Sequence, residues 1–301
     1  MNTTKVEIAT NQVKDAFSDF APFLLTEGNN LNLFFTGTDG QLNQFSTTDG
    51  GISWSELQIP NTKSLASSCV VSFGDQFYWF FVDGSEPGNG RISYFTSPDA
   101  VNWSNDKVVF PQAVSTSASP AACVFQGRLY LIYAGRISSG ANQNLFSIST
   151  GDGQNWDTAI NPLPKTINTN HYPTAVATDT NMYILFKGEQ GDERLFSSAT
   201  SNGSVWNSPP TIANPYLSPY APAAIADGDT VYMSFQAPGA DLMLTTGSLD
   251  SGKINWSNVS TDTSISTDTQ PGITKVGGTV YLAWKAAGTN APLNLGSISV
   301  M

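Results

Sequence analysis

Cleaving a glycosidic bond takes two or three carboxylates converging on one point, with one of them protonated to act as an acid. This chain offers Asp19 and Asp268, each three residues before a proline, and Glu189, with Asp39, Asp83 and Glu193 in comparable loops. Solvated loop carboxylates and turn caps draw on the same residue type and are the commoner use of it. The lone histidine, His171, has no second His, no Cys cluster and no Asp set at ligand spacing, which points to a hydrogen-bonding or structural role and not to a transition metal. Arg136, His171, Tyr172, Lys187, Tyr220, Gln236, Asp268 and Lys285 together offer aromatic faces and hydrogen-bonding groups of low charge. Such a set suits a sugar, which presents apolar C–H faces and hydroxyl edges. No Gly-rich phosphate loop, Ser nucleophile elbow or Cys–His pairing is present.

What would hold those residues in place is a repeat. Asp49-Gly-Gly-Ile-Ser-Trp54, Asp99-Ala-Val-Asn-Trp103, Asp152-Gly-Gln-Asn-Trp156, Asn202-Gly-Ser-Val-Trp206 and Ser251-Gly-Lys-Ile-Asn-Trp256 place tryptophans at intervals of 49, 53, 50 and 50 residues. A fixed period of this length means stacked or circular copies of one supersecondary unit. Each copy carries three apolar runs before its box. The first holds small residues after Pro120, Pro173, Pro222 and Pro271, as a crowded inner strand requires. A turn follows, with Gly28, Gly74, Gly127, Gly228 or Gly277 where φ must be positive. The second run carries a tyrosine column, Tyr78, Tyr130, Tyr183, Tyr232 and Tyr281, which the first copy replaces with Asn32. Packing between units accounts for that column better than a sugar platform does. The third run alternates as strands do, and a fourth strand is expected to start at each Trp.

Four strands in about 50 residues make a β-propeller blade. The expected fold is all-β, a six-bladed propeller of four antiparallel strands per blade in a single domain, with blades near 16–66, 67–116, 117–168, 169–217, 218–266 and 267–301 plus 1–12. The last copy stops before its box, so the segment from Thr4 to Thr10 is expected to pair onto blade six and close the ring. The residue after the second aromatic column then reads Thr36, Val82, Ala134, Lys187, Gln236, Lys285 around one face. The loops leading into the first strands add Asp19, Ala118, His171, Tyr220 and Asp268, with Tyr172 and Tyr216 nearby.

The box Thr47-Thr-Asp49-Gly-Gly51-Ile-Ser53-Trp54 resembles the Asp-box of the sialidase superfamily, and the other copies resemble its shorter variant in glycan-related propellers. The resemblance implies that the box lies between the third and fourth strands, opposite the active-site face, with its Asp tying the turn; calcium or ligand contact is the minor alternative. It also implies three arginines for a substrate carboxylate and a Tyr–Glu pair as nucleophile. The chain has four arginines, of which Arg91, Arg128 and Arg194 sit at strand starts, so a sialidase of the usual mechanism is disfavoured. Asp19 resembles the Asp-Pro start of five-bladed arabinanase-like enzymes, but two residues intervene before Pro22.

A net charge of −11 repels nucleic acid and anionic lipid. No apolar run has the length of a signal peptide or of a membrane span, which suggests a soluble protein, cytoplasmic or released by a non-classical route. Cys69 and Cys123 read as buried free thiols. No cofactor or metal is implied, and no oligomeric state is assigned. The leading functional expectation is a non-catalytic, multivalent lectin whose partners are glycans or glycoconjugates. The alternative is a glycoside hydrolase or lyase with one site at the channel mouth, using Asp19, Asp268 and Glu189. A protein-interaction scaffold is the third.

Overall fold

The computed structural model describes residues 2–5, 8, 10–57, 59–85, 90–110, 114–116, 118–135, 143–169, 171–189, 191–239 and 241–299. Six sheets of antiparallel strands form a six-bladed β-propeller, and no helix occurs among the described residues. Blade one shows the plan: Phe23–Glu27 innermost, then Asn30–Thr36, Leu42–Thr47 and the short outer Ser55–Leu57. Consecutive strands pair as hairpins, which is why the apolar runs alternate along each blade. Second strands are buried along most of their length because neighbouring blades cover both faces. Among the described residues no helix is long and apolar enough to cross a membrane.

An N-terminal strand closes blade six as expected, but it lies further along the chain. Thr10–Ser18, and not the segment from Thr4 to Thr10, pairs with Ala291–Ser299 as the outer strand of blade six. Its buried residues Val13, Ala16 and Ser18 supply its inward face. A bulge between Gln12 and Phe17, with Asp15 at φ 62°, sets that spacing. Asn2–Lys5 runs instead parallel to Lys253–Ser266 and adds a fifth strand to blade five. Val6, Glu7 and Ala9 lie outside the described residues.

The boxes explain the spacing of the tryptophans. Asp49 Oδ1 accepts the backbone N–H groups of Ile52 and Ser53, each at 3.0 Å. Asp99, Asp152 and Asn202 close the same turn in blades two to four. These hydrogen bonds hold the Asp49 carboxyl well below the usual carboxylate range, the Ser53 hydroxyl and N–H contributing most, and bring Asp99 down to about 2, led by the Asn102 N–H. Blade five has no acidic residue in its box and turns instead through Ser251 and Gly252, both at positive φ, within one long hairpin. Outer strands start one to five residues beyond the Trp in blades one to four, and only blade five carries its Trp inside the strand.

The tyrosine column and the box glycines prove to be partners across the blade boundary. A Cβ on Gly153 would fall inside the Tyr78 hydroxyl, and one on Gly203 inside that of Tyr130. A Cβ on Gly50 would meet the Tyr281 hydroxyl at 3.5 Å, contact without overlap, and the Gly252 backbone hydrogen-bonds Tyr183. Tyr78, Tyr130, Tyr183 and Tyr281 therefore set their hydroxyls against the bare backbone of the next blade's box, while Tyr232, facing the boxless blade six, lies under the Lys275 ammonium at 5.7 Å. Blade two is the exception, with Ala100 at φ 55° in the glycine position. The facing residue of blade one is Asn32, and Gln44 spans the gap, donating to Asn32 Oδ1 and to Ala100 O and accepting from Trp103 Nε1. Where the glycine gains a methyl group, the tyrosine is gone.

Candidate functional site at the channel mouth

Six inner strands surround a central cavity of 390 Å³, lined by small residues including Ala121, Cys123, Ala175 and Ala223. Cys69 and Cys123 are buried free thiols, and burial pushes both far up. Above this cavity a second six-fold motif appears. A hydroxyl accepts the N–H two residues later in every blade: Ser18 from Phe20, Ser64 from Ala66, Thr116 from Ala118, Thr169 from His171, Ser218 from Tyr220 and Thr267 from Thr269. These turns fix six equivalent positions around the channel mouth. Isolated bridges then join Ser18 to Gly37, Ser64 to Asp83 and Thr267 to Ala286, tying each loop to the end of its second strand. The motif was legible as a Ser or Thr four residues before the inner-strand position held by Pro in five blades, a signal the sequence reading missed.

Equivalent scaffold positions carry unequal chemistry. Blades one to three present Phe20, Ala66 and Ala118 with strand ends Thr36, Val82 and Ala134, and those strand ends are buried. Blades four to six present His171, Tyr220 and Thr269 with strand ends Lys187, Gln236 and Lys285, at 4%, 6% and 3% exposure. His171 and Tyr220 meet edge to face at 6.0 Å, and His171 and Tyr172 at 6.2 Å. Burial, reinforced by the Lys187 charge, lowers His171 to about 4, so its imidazole is neutral at pH 7. Burial pushes Tyr172 up to about 12 and raises Tyr220, whose phenol also feels the Asp268 carboxylate. Lys187, His171, Tyr220, Asp268 and Lys285 thus form one continuous row across three blades.

Its floor is closed by Gln270, whose amide donates to Thr174 Oγ1 at 2.9 Å and to Pro222 O at 2.5 Å, joining blade six to blades four and five. Tyr172 hydrogen-bonds the Gln270 backbone. Lys285 pairs with Asp268 at 2.6 Å and donates to the carbonyls of Ala286 and Gly288. Asp268 Oδ2 accepts Gly288 N–H at 2.8 Å, and Asp19 Oδ1 accepts Asn290 N–H at 2.7 Å. The two carboxylates therefore flank one short loop and lie within about 13 Å of each other, given the reach of two residues of backbone plus two hydrogen bonds.

Other expectations fall differently. Glu189 is exposed in the hairpin loop of blade four. Tyr216 is not on the ring: it is fully buried against Phe235 and Trp256, with its hydroxyl on Thr245 and the Ser257 carbonyl, because Thr211–Leu217 is an outer strand. Arg136 lies outside the described residues. Asp83, on the rim of blade two, is paired with Lys107 at 2.5 Å; burial raises its carboxyl, but the Lys107 and Ser85 hydrogen bonds outweigh this and leave it lowered. Among the described residues no three His, Cys, Asp or Glu side chains gather as a metal-ligand set.

No protein-family model matches the sequence, and no curated protein matches it. Solved structures do. An α-L-arabinanase of Penicillium chrysogenum complexed with arabinobiose superposes with a TM-score of 0.68 at 14% identity, over 98% of this chain and 99% of that one. A GH93 α-L-arabinofuranosidase of Fusarium graminearum with arabinobiose gives 0.69 at 11%, over 98% of both chains. A Trypanosoma rangeli sialidase with the inhibitor DANA gives 0.64 at 10%, over 94% of this chain and 55% of the other. At these identities what is shared is the sialidase-like six-bladed fold, one that carbohydrate-acting enzymes use.

Proposed function

We propose that this protein acts on carbohydrate at one site, the half-ring over blades four to six, and that it belongs with glycoside hydrolases or lyases more than with multivalent lectins. The observation that carries this reading is asymmetry. A lectin with several similar sites repeats its binding groups from blade to blade, whereas here the long hydrogen-bonding strand ends Lys187, Gln236 and Lys285 stand in three consecutive blades and the other three end in Thr36, Val82 and Ala134. The arabinobiose-bound neighbours support the same reading at the level of fold. Within the site, Tyr172, Tyr220 and His171 would supply the stacking and edge contacts. Gln236 would supply amide hydrogen bonds, and Asp268, paired with Lys285, would face developing positive charge. Asp19 or Glu189 would act as proton donor.

A non-catalytic, single-site lectin is the second reading. It is favoured by the hydrogen bonds that already occupy Asp268 and Asp19, since caps of a loop are not free acids. Calorimetric titration with the best ligand from a glycan array, followed by release of reducing ends or unsaturated products from that glycan and from arabinan, separates the readings. One site per chain with turnover that Asp268→Asn abolishes supports the enzyme. One site without turnover supports the lectin, and several sites per chain overturn both.

A further inference from the structure

Lys187 and Lys285 end equivalent second strands, but their surroundings differ. Lys285 has a carboxylate at 2.6 Å and two backbone carbonyls. Lys187, only 4% exposed, has among the described residues a single hydrogen bond, to Gly188 O at 3.5 Å, and no described carboxylate lies within 4.0 Å of its ammonium. Asp192, the nearest acid in influence, is taken up by Arg194 through contacts of 2.6 and 2.9 Å. On the other side stands His171, which cannot provide a negative charge, and beyond it the hydroxyls of Tyr172 and Tyr220. Among the described residues this buried ammonium keeps unused donors and touches no carboxylate, Asp192 and Glu193 acting on it only at longer range.

We propose that Lys187 is the anion-recognising group of the channel-mouth site, and that the sugar it selects carries one negative charge, a carboxylate or a sulfate ester, on an otherwise neutral glycan. This rests on the carbohydrate reading above. One charge, and not many, follows from the net −11 of the protein, which opposes the approach of a polyanion while leaving a short-range contact intact. The guanidinium forks expected of a sialidase-like site are replaced by a point charge, which takes planar carboxylate and tetrahedral sulfate alike.

The test uses the full chain and a panel of oligosaccharides ending in glucuronic, galacturonic or mannuronic acid, each with its methyl ester, its neutral parent and a singly sulfated parent, in calorimetric titration. At least one acid is expected to bind tenfold or more tighter than its ester, with the ratio falling as salt rises. A sulfated parent exceeding every acid identifies sulfate as the natural group. Lys187→Met, whose unbranched stem fills the same space, is expected to bring the acid-to-ester ratio to about one. Should that variant fail to fold, Lys187→Gln and the salt dependence of the native protein carry the same comparison. Equal binding of acid and ester, or a ratio that survives loss of Lys187, overturns the inference and leaves the carbohydrate reading standing. Failure of every sugar to bind overturns both.

Discussion

Adding one methyl group to Gly203 isolates the contact between blades three and four. Gly203 sits at φ 74°, where an L side chain costs about 1 kcal/mol. Its Cβ would also lie inside the Tyr130 hydroxyl and 2.6 Å from Cζ. Tyr130 is 7% exposed and packed against Phe125 and the Trp206 cluster, so its rigid ring has nowhere to go. Overpacking of this kind adds about 1–3 kcal/mol, giving about 2–4 kcal/mol in all. Gly228 serves as the control: its φ is 55° and a Cβ there would meet nothing within 4 Å, so Gly228→Ala is expected to cost about 1 kcal/mol. Urea midpoints at constant slope measure both. Combining Gly203→Ala with Tyr130→Ala is expected to give a favourable coupling of about 1–3 kcal/mol, since the second change empties the space the first one fills. Equal costs for the Gly203 and Gly228 variants, or zero coupling, would refute the tyrosine-on-glycine account of blade packing.

The same logic makes Asn32→Tyr destabilising alone, by overlap with the Ala100 methyl group, and Ala100→Gly, which also relieves a φ of 55°, its compensating partner, again by urea midpoint, because blade one would then carry the contact its neighbours use. For His171 the folded value lies near 4 against 6.5 in the unfolded chain, so the unfolded state binds the extra proton between those values. Stability is fully present above pH 6.5 and is lost as pH falls towards 4; His171→Gln is expected to flatten that slope in midpoints taken at several pH values. Asp268→Ala leaves the buried Lys285 ammonium without its carboxylate and is expected to cost about 1–3 kcal/mol, discounted because the Asp268 side chain is 34% exposed; adding Lys285→Met should recover part of it in the same assay.

Blade number, strand count and the inner position of the small residues could be read from the chain because each depends on periodicity and side-chain volume, which repeat. Ring closure could not be read to the residue: the sequences from Thr4 to Thr10 and from Thr10 to Ser18 both mix polar with scattered apolar residues, and the pairing of Thr10–Ser18 with Ala291–Ser299 rests on the burial of Val13, Ala16 and Ser18. The repeat-equivalence of His171 with Tyr220, and of Lys187 with Lys285, was legible in the spacing. Their unequal electrostatics were not, because the pairing of Lys285 and the isolation of Lys187 depend on where Asp268 and Asp192 point. Tyr216 misled for a simpler reason: its strand adds to the outer edge of the blade and carries its ring into the core.

A scaffold with six equivalent positions and one occupied half raises the question of whether the other half could be converted. Ala134 is the counterpart of Lys187 in blade three, and Ala118 the counterpart of His171. Ala134 is fully buried among Ile132, Leu145 and Phe186, with no ionised group in its cluster. Placing an ammonium there meets apolar side chains where Lys187 has the influence of Asp192 and Glu193. Ala134→Lys is therefore expected to cost several kcal/mol or to neutralise the amine, whereas Lys187→Ala at the native site is expected to cost far less, and even to stabilise the unliganded chain by removing an unpaired charge. Urea midpoints of the two variants at pH 7 decide it. A tolerated lysine at 134 would mean that the blades are interchangeable and that nothing physical confines the site to blades four to six. A costly one, set beside a cheap Lys187→Ala, marks residue 187 as held for what it binds.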